Sequence, residues 1–509
     1  QGQMERLRRL QSASTVPLLV ATDAEWGLVM RLDSTRSWPR ALTIGAANDT
    51  ALTRKFGQEV GKALKATGVH VNFAPVVDVN SNPLNPVIGS RSFGSSVERV
   101  SNMGTAYAKG MQDQGVLATA KHFPGHGDTD ADSHETLPSI LHNRQRLDSI
   151  ELSPFQRLTN EGGAAMMAAH LFIPALDSVP GRPSTLSPLI IDTLLRQEIK
   201  FQGLVFTDAM TMKGFSEFAT TTTPHADALI AGNDVLLFPT DPPTAIAEIL
   251  TAIESRRIDS LSIAQKCRRV LAAKSWSKAM NPVAGHYDSN RAESIHRELL
   301  ARSLTVVKNR GRSLPWGQQV NQVESIFIGW KGQPHKRFNQ DAEKVMGKTS
   351  VFSGQSLTDS DFINEAKSFI PAALAKEPDW LVIHLGGTSN SVSKQHGIPN
   401  DVIDQLNWTL ALANERNIPT AVVVYGSPYL LNRLERCAAL TKALIIAYQD
   451  DDRTIDAVAQ ALTGAGMAGG TLPVSVGAFP EGHGLPWLGG VRLGFSKVPF
   501  GAKLPIDSI

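Results

Sequence analysis

Six short apolar runs punctuate the first 240 residues, and five of them stop on a charged or ionisable side chain. The runs are PLLVAT (17–22), VHVNFAPVV (69–77), VLATAKHF (116–123), AAMMAAH (164–170), GLVFTD (203–208) and DVLLFP (234–239). Amphipathic helical patterns separate them, among them Leu52 to Ala66, Val97 to Gln114 and Thr244 to Ser255. Apolar strands alternating with helices form a parallel sheet buried on both faces. At the strand ends stand Asp23, Asp78, Lys121 with His122, His170 and Asp208. Polar residues repeated at C-terminal strand ends point to a (β/α)8 TIM-like barrel, whose active site lies at that face. An open doubly wound sheet would gather its site at one switch point instead. Six of the eight strands are visible. The first is expected to precede residue 1, and one near the end of the region is ambiguous.

At 509 residues the chain exceeds what one hydrophobic core serves, so two domains are expected. Residues 1–280 are read as the barrel, 281–300 as a linker and 301–509 as an αβα sandwich. The sandwich strands are expected at LTVVKN (304–309), SIFIGW (325–330), WLVIHLG (380–386), TAVVVYG (420–426), ALIIAY (443–448) and LPVSV (472–476). Helical patterns run from Asp401 to Arg416 and from Thr454 to Leu462. A net charge of +2 argues against nucleic acid as an obligate partner, and no run of eighteen apolar residues offers a membrane span. Cys267 and Cys437 read as two free thiols, which do not fix the compartment. The cell envelope or periplasm is favoured over the cytoplasm, and oligomeric state is open.

The densest chemistry lies in KHFPGHGDTDADSHETLP, residues 121 to 138. His122, His126 and His134 with nearby aspartates invite a metal reading. However, an i, i+4 histidine pair shares one ion only on a helix, and Phe123-Pro124-Gly125 forbids one. No metal and no cofactor are expected. A wet glycine-rich loop explains Thr129 to Ala131 but not Lys121 and His122, which follow an apolar run and should emerge at the sheet's mouth. His126 reads as structural. Asp132 and His134, two apart in an extended segment, project to the same side. A carboxylate on one imidazole nitrogen makes the other a better proton shuttle. Asp208, ending GLVFTD, places a carboxylate among the other strand ends, although Asp is also a favoured helix N-cap. A carboxylate facing a proton donor suits attack on an acetal carbon.

KHFPGHG followed by DSH, with the strand-end TDAMTM, resembles the β-N-acetylglucosaminidase branch of glycoside hydrolase family 3. TDAEWGLVMR (22–31), NFAPVVDVNSNPLNPVIGSRSFG (72–94) and VVVYGSPYLL (422–431) extend the likeness over nearly the whole chain. The resemblance implies a retaining two-step mechanism, with Asp208 as nucleophile, His134 as general acid/base and Asp132 as its partner. It implies substrate contacts at Asp23, Arg31, Arg91, Lys121 and His122. His170 fits either a pocket wall or a satisfied core position. The family branch commonly reads Asp-Gln-Glu-Gly-Gly where this chain has Asp23-Ala24-Glu25-Trp26-Gly27, so Trp26 is either a sugar platform or packing.

The expected activity is exo-hydrolysis of terminal β-linked N-acetylglucosamine from muropeptides or chitin oligomers. The same residues could serve a β-N-acetylglucosaminide phosphorylase or a broader β-glycosidase. A non-catalytic glycan-binding protein has no need of Asp132, His134 and Asp208 together.

Overall fold

The computed structural model describes residues 2–130, 136–215, 223–279, 287–317, 319–330, 333–347, 351–389 and 395–489. The six runs of the first half form β1 (Ala21–Thr22), β2 (Val71–Asn72), β3 (Leu117–Phe123), β4 (Ala165–Ala168), β5 (Leu204–Ala209) and β6 (Val235–Leu237). They pair in chain order, all parallel. Among the described residues β6 does not pair back onto β1, so the sheet is a half-barrel rather than a closed eight-stranded ring.

Side-chain alternation sorts each strand between two cores. Leu117, Ala165, Met167, Leu204 and Phe206 join an inner layer with Val71 and Phe73. Ala118, Ala120, Met166, Ala168 and Val205 face the surrounding helices. Helix Ser260–Trp276 contributes Ala273 and Val270 to the inner layer, so a helix covers part of the surface that further strands would cover. Counting by twos on the inner face, Lys121 follows Leu117 and Thr119, and Asp208 follows Leu204 and Phe206. Both polar groups are therefore delivered to the top of the half-barrel interior.

The second sheet runs β7-β12-β11-β10-β8-β9, with β7 (Thr305–Asn309) antiparallel to β12 (Ala443–Ile446) and the rest parallel. The others are β8 (Val323–Ile328), β9 (Phe352–Leu357), β10 (Trp380–Leu385) and β11 (Thr420–Val424). Two differences from the sequence reading have plain causes. β9, FSGQSL, carries no apolar run because it is an edge strand with half-buried middle residues. LPVSV forms no ladder, only an isolated bridge from Val476 to Phe479. Its Leu472, Val474 and Val476 are buried, but the Pro473 carbonyl accepts from Ser95 N–H of the first half (2.9 Å).

That bond is one of several joining the halves. Leu42 and Ala46 of helix Ala41–Ala47 are buried in the core of the second sheet. Arg99 is buried, reaches the Gly45 carbonyl (2.5 Å) and pairs with Glu481 (2.7 Å). Asn80 Nδ2 donates to the Tyr429 hydroxyl (2.8 Å). Helix Ser289–Ser303 bridges the two halves, pairing Glu293 with Arg36 (2.6 Å) on one side and Arg453 (3.0 Å) on the other.

Candidate active site

Four strand ends meet at the mouth of the half-barrel. Asp23, just past β1, accepts from Lys121 Nζ (2.9 Å) through one oxygen and from Arg31 Nη2 (2.7 Å) through the other. Lys121 also reaches Glu25 (3.0 Å), whose carboxylate takes two nitrogens of Arg91 at 2.7 to 3.2 Å. The result is a ladder, Arg31–Asp23–Lys121–Glu25–Arg91, of alternating sign. Lys121 is only 3% exposed, while the Asp23 side chain is 28% exposed. Asp23 and Arg31, whose side chain is 53% exposed, are thus the members with an open side toward a ligand. Burial pushes the carboxyls of Asp23 and Glu25 up, but Lys121 with Arg31 or Arg91 outweighs it, leaving both below their ordinary values. For Arg91, burial lowers the pKa and Glu25 more than restores it.

His122 is held by Asp78, a fully buried carboxylate beyond β2. Asp78 accepts from His122 Nδ1 (2.7 Å), from the His122 N–H (3.2 Å) and from the His126 N–H (2.7 Å). Burial raises the Asp78 carboxyl, and the two histidines lower it further than burial lifts it. With Nδ1 committed, His122 turns Nε2 toward Arg91 Nη2 (3.4 Å). The β3 register shifts between Lys121 and Phe123, and at this point the successive residues Lys121 and His122 reach Asp23 and Asp78 respectively.

Asp208 is half-buried at the end of β5. Among the described residues its one hydrogen-bond donor is the Ala209 N–H (2.8 Å). Among the same described residues the other oxygen has no such partner. Burial raises the carboxyl, yet the fields of His122, His170 and Lys121 bring it below the ordinary aspartate range. The group is therefore an ionised carboxylate with an uncommitted lone pair, which is what nucleophilic attack requires. His170 is buried beneath it. One ring nitrogen contacts Thr185 Oγ1, and Nε2 donates to the Ala209 carbonyl (3.1 Å). Burial lowers the His170 pKa against the pull of Asp208.

The loop after β3 is anchored up to Thr129. Asn85 Nδ2 donates to the His126 carbonyl (2.8 Å), Asn82 Nδ2 to the Thr129 carbonyl (3.2 Å), and Ser81 Oγ to Asp128 (2.9 Å). Only glycine fits at 127, where a Cβ would lie 1.8 Å from the Val79 carbonyl oxygen. His126 Nδ1 faces Thr129 Oγ1 (2.8 Å), and burial with His122 nearby lowers its pKa to about 4. Among the described residues no three His, Cys, Asp or Glu side chains gather in a metal-holding group. Asp132 and His134 lie outside the described residues.

Asp23, Arg31, Arg91, Lys121, His122 and Asp208 thus share one mouth, with His170 beneath it. Two residues of that mouth went unassigned in the sequence reading, Glu25 and Asp78. Asp78 carried the same strand-end signal as its neighbours. Glu25 is separated from Asp23 by one residue, the spacing that puts both carboxylates on one side of an extended segment.

A parallel α/β half-barrel that presents an ionised carboxylate beside hydroxyl-accepting and hydroxyl-donating side chains has the layout of a glycosidase. Residues 2–273 match the Glycosyl hydrolase family 3 N terminal domain, and the chain belongs to that family. Beta-hexosaminidase A of Pseudoalteromonas piscicida is 29% identical over 92% of this chain and 84% of its own length. A beta-hexosaminidase of Methylococcus capsulatus is 34% identical over 53% of this chain and 84% of its own. Among solved structures, a glycoside hydrolase family 3 beta-N-acetylglucosaminidase from Paenibacillus sp. superposes with a TM-score of 0.75 at 29% identity. That likeness covers 94% of this chain and 90% of the other.

Proposed function

We propose that this chain is a retaining exo-β-N-acetylglucosaminidase, consuming terminal β-linked N-acetylglucosamine. The observation that carries the reading is Asp208, an ionised carboxylate at the strand-end mouth with one oxygen that no described residue hydrogen-bonds. The names of the relatives, beta-hexosaminidase and beta-N-acetylglucosaminidase, support the choice of sugar. In the first step Asp208 attacks the anomeric carbon while His134 protonates the leaving oxygen. In the second, His134 takes a proton from water, which displaces Asp208. Asp132 orients His134 and favours its charged form. Asp23 accepts from sugar hydroxyls, and Lys121, Arg31 and Arg91 donate to hydroxyl or acetamido oxygens. His122, set by Asp78, faces the same sugar. His170 serves by fixing the backbone at Ala209 beneath the nucleophile. The catalytic half is residues 1–280, and 301–509 form the sandwich that backs it, joined through 281–300.

The test is product analysis by proton NMR on an aryl β-N-acetylglucosaminide, with and without added phosphate. Free β-N-acetylglucosamine as the first product supports retention and hydrolysis. The α-anomer would sink the two-step mechanism. A sugar 1-phosphate as the main product would make the enzyme a phosphorylase.

A further inference from the structure

Arg91 reaches the mouth on a loop whose base is held by the other half of the chain. Asn80, two residues past Asp78, donates its N–H to the Gly94 carbonyl (2.9 Å), so residues 80 to 94 leave and return at one point. Such a closed excursion is an Ω-loop, and its shape depends on what fixes its tip and its base. The tip is fixed within the first half. Asn85 Oδ1 takes the Val87 and Ile88 N–H groups (2.9 and 2.8 Å), and Asn85 Nδ2 donates to the His126 carbonyl (2.8 Å).

The base is fixed from the second half. Where the chain enters the loop, Asn80 is 1% exposed and its Nδ2 donates to the Tyr429 hydroxyl (2.8 Å). Among the described residues Asn80 Oδ1 has no partner, so this bond alone orients the amide. Where the chain leaves the loop, the Ser95 N–H donates to the Pro473 carbonyl (2.9 Å). Gly94 lies so close that a Cβ there would stand 2.4 Å from the same oxygen. Tyr429 is itself firmly seated in the short helix Pro428–Arg433 after β11. It belongs to the core of the second sheet and stacks on His396, with centroids 6.4 Å apart and planes at 26°. Burial pushes its phenol above the ordinary value, so the hydroxyl keeps its proton.

What the loop controls is the remaining donor of Arg91. A guanidinium carries five N–H groups. On Arg91, Nε and Nη2 are taken by Glu25, and Nη2 also faces His122 Nε2 (3.4 Å). Nη1 donates one hydrogen to the Val87 carbonyl (3.3 Å) of the same loop. Among the described residues the second Nη1 hydrogen is the one left for a ligand. Its direction is set at Val87, and so by the loop.

We propose that Tyr429 is a positioning residue for Arg91, acting through the base of the loop, so that the second half of the chain aims a sugar-binding cation of the first. The proposal rests on the glycosidase reading above. A bond that only fastened the two halves together would act on stability and leave KM where it is. A bond that aims Arg91 acts on KM and spares kcat, because Asp208 stands on β5, outside the loop.

The test is steady-state kinetics on 4-nitrophenyl β-N-acetylglucosaminide in wild type, Tyr429→Phe, Asn80→Ala, Arg91→Lys and the double variant Tyr429→Phe with Arg91→Lys. Tyr429→Phe should raise KM about fivefold to tenfold, the effect of losing one hydrogen bond, with kcat within about twofold of wild type. Asn80→Ala removes the same bond from the loop side and should give the same split. In the Arg91→Lys background, Tyr429→Phe should move KM by less than about twofold, because the donor it aimed is gone. A lowered melting temperature with KM unmoved in both Tyr429→Phe and Asn80→Ala would make the bond a fastener and overturn the proposal. An equal rise in KM with and without Arg91 would overturn it too. Wild type that fails to turn over the substrate would overturn the glycosidase reading and this inference with it. Wild type that is active, with KM unchanged in Tyr429→Phe, would overturn the inference alone.

Discussion

At the mouth of the first sheet, Asp23, Glu25, Asp78 and Asp208 crowd around Lys121, His122 and Arg91. In the interior of the second sheet, His384 in β10 is fully buried among Phe327, Phe338 and Tyr425. Its Nδ1 meets the Tyr425 hydroxyl (3.0 Å), and among the described residues its Nε2 has no partner. Both regions bury titratable groups, but they do so by opposite means. The mouth keeps its groups charged by pairing every cation with a carboxylate. The second interior keeps its histidine neutral, because burial alone drives the pKa of His384 well below the ordinary value. Charges in low dielectric cost several kcal/mol each unless paired, so a fold that needed only stability would choose the second means. The mouth keeps charge because its chemistry uses it.

The largest effect should come from the one mouth carboxylate that pairing does not consume. Asp208→Ala should lower kcat/KM on an aryl β-N-acetylglucosaminide by about 10³-fold or more, with the melting temperature unchanged or raised. A variant retaining full turnover would remove Asp208 from the mechanism. Asp78→Ala should act differently, by stranding the His122 ring and two buried N–H groups. Its expected cost is about 3–5 kcal/mol of stability, together with lost activity. Asp78→Asn keeps an acceptor and should recover part of the stability. Denaturant unfolding of the two variants separates these outcomes, and equal stability for both would mean that Asp78 orients nothing.

The two regions also differ in how far the sequence foretold them. β1 to β6 were legible because each is an apolar run bounded by helices, and strand-end polarity located the mouth. Period-2 counting then carries Lys121 and Asp208 to the inner face with no further information. The ladder itself was not legible, because which carboxylate meets Lys121 depends on the approach of β1 to β3, which only packing decides. β9 escaped notice because an edge strand needs no apolar run. LPVSV misled because alternation reports burial and not which backbone takes the hydrogen bonds.

Acid should separate the paired carboxylates from the buried histidines by the pH at which each group begins to lose stability. Asp23, Glu25, Asp78 and Asp208 all have folded pKa values below those of the unfolded chain. Their stabilisation is complete above the unfolded values of 3.8 and 4.5 and is lost as pH falls below them. His126, near 4, and His384 are also depressed, but from an unfolded value of 6.5. Below 6.5 the unfolded state binds protons that the folded state refuses, so their contribution starts to fade there. Unfolding free energy should decline gently from pH 6.5 and steeply below about 4.5. A curve flat from 6.5 to 4.5 would show that the buried histidines titrate normally.

His384→Phe offers the smallest effect and the sharpest comparison. The ring of His384 stacks on Phe327 with centroids 3.9 Å apart and planes 5° from parallel, a geometry that phenylalanine can reproduce. The substitution removes an unpartnered Nε2 but leaves the Tyr425 hydroxyl without its partner. Those two terms oppose each other at about 1 kcal/mol apiece, so near pH 8 stability should change by less than about 1 kcal/mol. As pH falls from 6.5, wild type loses the free energy of keeping His384 neutral, whereas the variant has nothing to titrate there. The difference should therefore move steadily in favour of the variant between pH 6.5 and 4.5, with kcat/KM unaffected. A constant difference across that range would mean that His384 accepts its proton while folded, and the contrast between the two ways of burying a titratable group would fail.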